Sequence, residues 1–416
     1  MKLAGRTVVL GVTGGIAAYK SAELVRELCR VGARVRVIMT RHAQEFITPL
    51  TLQTLAGEPV ATELFDLGQE SQIGHIELAD SADAILVAPA TANLVAKMAT
   101  GLADDLLSTV LLATRAPVVL APAMNVHMWE NPLVQENLER LAKRGVRIVT
   151  PDRGSLACGY EGLGRLPDAP ILLEETAAAL APDDFAGETV LVTAGPTREY
   201  LDPVRFVSNR SSGKMGFALA RAARRRGARV VLVSGPTALP ETRGIELVRV
   251  ETAAEMAAAS TRAAADATIA IAAAAVADYR PARRTTDKEA KIAGPTSLEL
   301  EPTQDIVASL PRRPGLLVVG FAAETHDVTE RARGKLARKK LDLIVANDVT
   351  AEGAGFDVDT NRVTLVGADE TTELPLLDKD DVADAVLDRI RELRRRKPLG
   401  PQVASAPRRS GARRAS

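Results

Sequence analysis

Thr7-Val8-Val9-Leu10-Gly11-Val12-Thr13-Gly14-Gly15 decides how the chain is read. Its first six residues have the composition of a parallel strand buried on both faces, and a glycine pair follows. The next segment is helical, with Leu24, Val25, Leu28 and Cys29 on one face. Arg34-Val35-Arg36-Val37-Ile38-Met39 is a second strand, and 84–88 and 117–121 are further ones. Strands alternating with helices predict a parallel sheet with right-handed crossovers. The pattern then restarts. Thr189-Val190-Leu191-Val192-Thr193-Ala194-Gly195 echoes the first strand and turn, and Gly227-Ala228-Arg229-Val230 repeats Gly32-Ala33-Arg34-Val35. More strands are expected at 268–273, 316–320 and 343–346. The fold class expected is α/β, with two Rossmann-like parallel-sheet domains in tandem at 1–180 and 188–396. An Ala/Pro/Asp-rich linker is expected over 177–187, and a disordered basic tail over 397–416.

The bulk numbers agree with this layout and exclude others. A chain of 416 residues fits two or three domains at about 150 residues each. With 46% hydrophobic and 25% charged residues, it is not wholly disordered. The longest apolar run, 269–277, is nine residues, well short of the ~20 a membrane span needs. The 53 basic and 53 acidic side chains cancel, so no overall field draws the chain to nucleic acid or anionic lipid. Two cysteines supply neither a disulfide framework nor a four-thiolate metal site. Residues 1–6 carry no signal-peptide profile. The expectation is a cytoplasmic enzyme with neither nucleic acid nor membrane as partner.

Glycines after a buried strand let backbone N–H groups at a helix N-terminus approach a phosphate. The spacing Gly11-x-x-Gly14-Gly15 differs from the dinucleotide pattern, and Met39-Thr40-Arg41 ends the second strand with no acid for a ribose diol. A mononucleotide is therefore favoured, although the same turn would also pack a helix on a strand. Ala88-Pro89-Ala90-Thr91-Ala92-Asn93 runs from a buried strand into small and hydroxyl residues, at the sheet edge where open α/β folds bind ligands. Pro122-Ala123-Met124-Asn125-Val126-His127-Met128-Trp129 ends another strand in the same way.

These stretches, with His75-Ile76-Glu77-Leu78-Ala79 and Gly14-Gly15-Ile16-Ala17, closely resemble the homo-oligomeric flavin-containing cysteine decarboxylases. With the second half included, residues 5–395 resemble the bifunctional phosphopantothenoylcysteine decarboxylase/phosphopantothenate–cysteine ligases of bacteria. The resemblance implies FMN on Gly14, Gly15, Ile16, Thr40, Pro89, Ala90, Thr91 and Asn93. It implies that His75 is a base or substrate-positioning group, that Asn125 binds the substrate carboxylate, and that Cys158 of Ala157-Cys158-Gly159 donates a proton. Residue by residue, His75 also fits an exposed helix start and Asn125 a turn cap. Cys29 lies on an apolar face and reads as core, whereas Cys158 sits in a stretch, 154–164, with four glycines. That stretch suits a mobile lid carrying an accessible thiol. Loss of CO2 from a cysteine carboxylate needs an electron sink, and oxidising the thiol to a thioaldehyde creates one; a flavin takes two electrons in that step and returns them after CO2 leaves.

In the second half, Ser208-Asn209-Arg210-Ser211-Ser212-Gly213-Lys214-Met215-Gly216 is not a P-loop, because Met215 follows the lysine. Its hydroxyls, amide and two cations still suit a phosphorylated substrate or a triphosphate. In Ala272-Ala273-Ala274-Ala275-Val276-Ala277-Asp278-Tyr279-Arg280, small side chains let a flat base lie against the backbone. These runs and Gly320-Phe321-Ala322-Ala323-Glu324-Thr325 resemble the cytidylate-forming ligase domain. That resemblance places CTP on Ala272, Ala273, Ala274, Asp278, Lys288, Gln304, Asp305, Ile306, Val307, Phe321, Lys335 and Lys339; Asp278, read by itself, suits a ribose hydroxyl or Mg²⁺. The resemblance gives Asn209 a part in handling the acyl-cytidylate and makes Lys288 the cation facing the triphosphate. Lys288-Glu289-Ala290-Lys291 departs from the family's Lys-x-Lys-Lys cluster by losing the middle lysine and gaining an acid.

The expected reaction joins 4′-phosphopantothenate to cysteine at the expense of CTP, then decarboxylates the product to 4′-phosphopantetheine. The small-molecule substrates are the expected partners, together with further copies of the same chain. Two rivals differ in class. One is a flavoprotein decarboxylase of a peptidyl cysteine whose second half is a scaffold; the other is a non-catalytic binding or regulatory protein.

Overall fold

The computed structural model describes residues 3–64, 74–155, 159–288, 296–324, 326–348, 353, 355 and 357–396; the tail expected at 397–416 lies outside them. The chain divides into two compact units, Met1–Pro182 and Asp183–Ser416.

In the first unit, β1 (Thr7–Val12), β2 (Arg34–Met39), β3 (Ala84–Ala90), β4 (Val118–Pro122) and β5 (Arg147–Ile148) form one sheet in the order β2-β1-β3-β4-β5. Every pairing is parallel. Residues alternate across a strand, and β1 uses both faces. Val8, Leu10 and Val12 join a core built with Leu24, Val25, Leu28 and Leu172, while Val9 joins one built with Leu78, Leu94, Val95 and Leu107. Helices therefore cover both faces, which is why the strands read as continuous apolar runs. Gly11 keeps this packing tight, because a Cβ there would lie 2.6 Å from Leu107 Cδ1.

The linker expected over 177–187 is corrected by the structure. Helix Ala169–Leu180 runs through its first four residues, and Leu172, Leu173 and Ala177 are buried under the sheet. Alanine is the strongest helix former, so an alanine-rich run with apolar periodicity stays helical to Leu180, and Ala181, before Pro182, is extended. Phe185, within the same stretch, is buried in the core of the second unit.

That second unit has an eight-stranded sheet. Its strands lie in the order Ile245–Arg249, Arg229–Ser234, Thr189–Ala194, Ile269–Ala272, Leu317–Glu324, Leu343–Asp348, Val363–Val366 and Thr371–Glu373. The first six are parallel, and the last two add antiparallel. Numbered along the chain, the six run 3-2-1-4-5-6, the Rossmann order, whereas the first unit has the flavodoxin-like order 2-1-3-4-5. In each unit the strand order reverses beside the first strand, and ligands bind at that reversal beyond the carboxyl ends of the strands.

A short turn in the second unit gives a pH-dependent prediction. Asp202 is fully buried; its Oδ1 accepts from the N–H of Val204 (2.8 Å) and of Arg205 (2.7 Å), and Arg205 Nε donates to Oδ2 at 2.7 Å. Burial pushes the carboxyl up, but these donors outweigh it and hold the pKa at about 2. The unfolded value lies near ~4, so the stabilisation is complete above that pH and is lost as pH falls toward about 2. Between about pH 5 and 3, urea midpoints of the parent should therefore fall toward those of Asp202→Asn. A constant gap between the two proteins would contradict this account of the turn.

Candidate active sites

A cleft of about 600 Å³ opens at the strand reversal of the first unit. Gly14, Gly15 and Ile16 after β1, Pro89 and Thr91 at the end of β3, and Met124 and Asn125 after β4 form its walls. Gly14 is required by close approach: a Cβ there would sit 2.3 Å from His42 Cβ and 2.7 Å from the His42 carbonyl carbon. Thr13 Oγ1 donates to the Pro89 carbonyl at 2.8 Å and accepts the Thr91 N–H at 3.0 Å, tying the first glycine turn to the third strand's end. Asn125 caps helix Val126–Trp129, its Oδ1 accepting the His127 N–H at 2.9 Å. The amide N–H donors of Asn125 are then the atoms left for a ligand, and a carboxylate is their natural partner.

The antiparallel strands Asp152–Ser155 and Glu161–Arg165 close one side, contributing Ser155, Gly164 and Arg165 to the wall. They are anchored by the Met124 N–H, which donates to the Gly164 carbonyl at 3.0 Å, and by Gly162, where a Cβ would meet Val126 Cγ2 at 2.6 Å. Cys158 lies outside the described residues.

Of the residues expected here, Gly14, Gly15, Ile16, Pro89, Thr91 and Asn125 meet in the cleft; Thr40, Ala90, Asn93 and His75 do not line it. Ala90 is buried in β3 and Asn93 is exposed. His75 begins helix His75–Ser81, which the buried Arg36 anchors through Glu77 Oε1 (3.0 Å) and Ser81 Oγ (2.8 Å). Thr40 stands beside the glycine turn, its N–H on the Val12 carbonyl at 3.0 Å, and its Oγ1 is buried without a hydrogen-bond partner. An orphaned hydroxyl, a glycine turn with no room for a side chain and a cleft of this size all fit a mononucleotide phosphate at the strand reversal. Sequence reasoning did not single out Tyr19, Lys20 or Met128 in the same wall; the first two have no local pattern to mark them, and Met128 lies within the Pro122–Trp129 run, from which only Asn125 was taken.

The second unit has two adjoining clefts at its own strand reversal, of about 390 and 330 Å³. They share Ala274, Ala275 and 321–323. The alanine segment leaves the sheet after Ala272 and is held by hydrogen bonds from its backbone. The Ala274 N–H donates to Thr193 Oγ1 (3.2 Å), that of Ala275 to the Gly195 carbonyl (2.9 Å) and that of Ala277 to Thr197 Oγ1 (3.0 Å). Asn209 Nδ2 donates to the Val276 carbonyl at 2.8 Å, joining the 208–216 loop to this segment.

The 330 Å³ cleft gathers Ala272, Ala274, Asp278, Gln304, Asp305, Ile306, Val307, Phe321, Lys335 and Lys339; Ala273 and Asn209 line its 390 Å³ neighbour. Lys335 and Lys339 lie on helix Val328–Lys339, as their spacing predicts. Both are paired with carboxylates, Lys335 with the buried Glu324 at 2.6 Å and Lys339 with Asp305 at 3.0 Å. Burial pushes the Asp305 carboxyl up, yet Lys339 and the Ala308 N–H hold it below the usual range. Lys288 is exposed and lines neither cleft. Asp278 is exposed at the rim, and no group of three or more potential metal-ligating side chains occurs among the described residues. A lone carboxylate suits Mg²⁺ that arrives with substrate phosphates.

The chain thus has two units built on parallel strands, each with a cleft at its strand reversal, where α/β folds of this class bind ligands. Residues 1–181 match the flavoprotein family, and 185–393 match the DNA/pantothenate metabolism flavoprotein C-terminal domain. The chain is 50% identical over 396 residues to the coenzyme A biosynthesis bifunctional protein CoaBC of Vibrio cholerae, covering 94% of this chain and 99% of that one. It is 48% identical over 402 residues to the protein of that name from Bacillus subtilis, covering 94% and 98%. The crystal structure of the C-terminal domain of a coenzyme A biosynthesis bifunctional protein CoaBC aligns at 42% identity and TM-score 0.45, over 51% of this chain and 99% of that one. The chain belongs to the family of bifunctional coenzyme A biosynthesis proteins. No helix among the described residues is long and apolar enough to cross a membrane.

Proposed function

We propose that the chain carries out two successive steps of coenzyme A biosynthesis. A ligase domain at 188–396 joins 4′-phosphopantothenate to L-cysteine using CTP. A decarboxylase domain at 1–180 converts the resulting 4′-phosphopantothenoyl-L-cysteine to 4′-phosphopantetheine and CO2 with FMN. The observation that carries this reading is the convergence of Ala272, Asp278, Gln304, Phe321, Lys335 and Lys339 on one cleft at a Rossmann strand reversal.

A carboxylate does not acylate an amine, because the leaving group would be oxide. In the ligase, the phosphopantothenate carboxylate attacks the α-phosphorus of CTP and expels pyrophosphate. The cysteine amine then attacks the acyl carbon and expels CMP. Lys335 and Lys339 are the cations of the nucleotide cleft, and Asp278 would hold Mg²⁺, which would offset charge on the phosphates. Lys335 and Lys339 are held in place by Glu324 and Asp305 before any nucleotide arrives. Asn209, fixed on the Val276 carbonyl, faces the acyl-cytidylate, and Lys288 approaches the triphosphate from outside the cleft.

In the decarboxylase, Gly14, Gly15, Ile16, Pro89 and Thr91 would hold FMN, with Thr40 beside the glycine turn and Ala90 and Asn93 outside the cleft's lining; FMN there would accept two electrons as the substrate thiol is oxidised and return them after CO2 leaves. The Asn125 amide donates to that carboxylate, His75 acts as base or substrate-positioning group, and the Cys158 thiol returns a proton to the decarboxylated product. The protein works as a cytoplasmic homo-oligomer.

Purification without denaturant should give a yellow protein whose released cofactor has the mass of FMN. The same preparation should release pyrophosphate from CTP in preference to other nucleoside triphosphates when phosphopantothenate and cysteine are both present. A colourless protein that fails to take up FMN, or one indifferent to CTP, would overturn the corresponding half of the proposal.

A further inference from the structure

The walls of the 330 Å³ cleft come from two separate stretches of chain, the alanine segment ending at Asp278 and the block Gln304–Val307. Thr303, the residue before that block, joins them. Its Oγ1 donates to the Ala277 carbonyl at 2.6 Å, and its N–H donates to the Asp278 carbonyl at 2.9 Å. The Ala277 N–H in turn donates at 3.0 Å to Oγ1 of Thr197, a fully buried residue shortly after strand Thr189–Ala194. Both main-chain groups of Ala277 are therefore held by threonine hydroxyls, the N–H by Thr197 and the carbonyl by Thr303. Neither hydroxyl takes part in the ligation chemistry.

Cytosine presents an amino group where uracil has an oxo group, and an accepting ring nitrogen where uracil has an N–H. Telling the two apart takes hydrogen-bonding atoms held at fixed positions. The side chains of this cleft supply few of them. Alanine methyls and the Phe321 ring cannot distinguish a donor from an acceptor. Asp278 and Gln304 are exposed, and Lys335 and Lys339 are ion-paired with Glu324 and Asp305. The main chain of the alanine segment is what remains to read a base, and its place is set by the groups that tie it down.

We infer that Thr303 and Thr197 are positioning residues of the ligase that set its choice of cytosine over uracil, by fixing the main chain at Ala277 against the base. The inference rests on the ligase reading and adds which groups make the nucleotide cleft selective. Full-length Thr303→Val, Thr197→Val and Thr303→Ser proteins test it with CTP and UTP. Valine has the shape of threonine but neither donates nor accepts a hydrogen bond. Thr303→Val should raise KM for CTP about tenfold and lower the CTP-over-UTP ratio of kcat/KM by about tenfold. Its KM values for phosphopantothenate and cysteine should stay within about twofold of the parent's, which also shows the fold intact. Thr303→Ser should restore the parental ratio, because the hydroxyl returns without the methyl.

Thr197→Val should move the ratio in the same direction. Either valine variant suffices, since each removes one end of the same chain of bonds, and the half-buried Thr303 is the easier site to change without unfolding. Calorimetric titration with CMP and UMP gives a readout without turnover, in which Thr303→Val should bind CMP about tenfold more weakly than the parent. A parent with no CTP-dependent pyrophosphate release overturns the ligase reading and this inference with it. A working parent whose valine variants keep the preference for CTP over UTP, or raise the KM values of all three substrates alike, overturns the inference alone.

Discussion

Cys158→Ser is expected to slow CO2 release by about a thousandfold while pyrophosphate release from CTP continues at the parental rate. The reason is acidity. A decarboxylated intermediate with its charge delocalised onto sulfur needs a proton at carbon, and a thiol is a far stronger acid than an alcohol. The chain has one other cysteine, Cys29, and burial pushes the pKa of its half-buried thiol up; it packs against the core on the Ser21–Arg30 helix. Cys158 instead falls in a glycine-rich stretch next to Ser155, which lines the cleft, and Gly159, whose φ is +78°. The variant should stay yellow, because the proposed flavin contacts lie elsewhere. Parental CO2 release by Cys158→Ser would remove the thiol from the mechanism.

Gly14→Ala should lower flavin occupancy by at least about tenfold, with no effect on the ligase. The added methyl would lie 2.3 Å from His42 Cβ and within 2.8 Å of His42 backbone atoms. Backbone cannot rotate away as a side-chain tip can, so the turn itself has to move. Overpacking of this kind costs about 1–3 kcal/mol, and the displaced N–H groups are those expected to face the cofactor phosphate. Flavin absorbance per chain after gel filtration measures the effect, and thermal melting with added FMN shows whether binding or folding was lost. Parental occupancy would mean that the glycine turn does not hold the phosphate.

What was legible in the sequence was what is local along the chain. Strand runs such as 189–195 and the turn at Gly14-Gly15 each occupy consecutive residues, so composition and spacing found them. The 330 Å³ cleft was readable because Ala272–Asp278 and Gln304–Val307 are contiguous blocks that the strand order brings together. The burial of Lys379 and Asn361 escaped because neither lies in a segment given an element from the sequence, and it depends on how the last helix, Lys379–Arg396, packs against Lys214–Arg225. Arg221 pairs there with Asp380 at 2.7 Å, and Arg226 with Asp388 at 2.8 Å. The antiparallel strands Val363–Val366 and Thr371–Glu373 escaped for a related reason, since a three- or four-residue strand carries too little alternation to register. The linker failed because composition alone cannot separate an alanine-rich helix end from a flexible connector.

The central claim is that one chain performs ligation and then decarboxylation. The purified full-length protein should be incubated with 4′-phosphopantothenate and cysteine labelled in its carboxyl carbon, with and without CTP. With CTP, labelled CO2 should appear after a lag and reach one molecule per molecule of pyrophosphate; without CTP, no label should be released. Labelled CO2 in the absence of CTP, or pyrophosphate release that never leads to labelled CO2, would contradict the account.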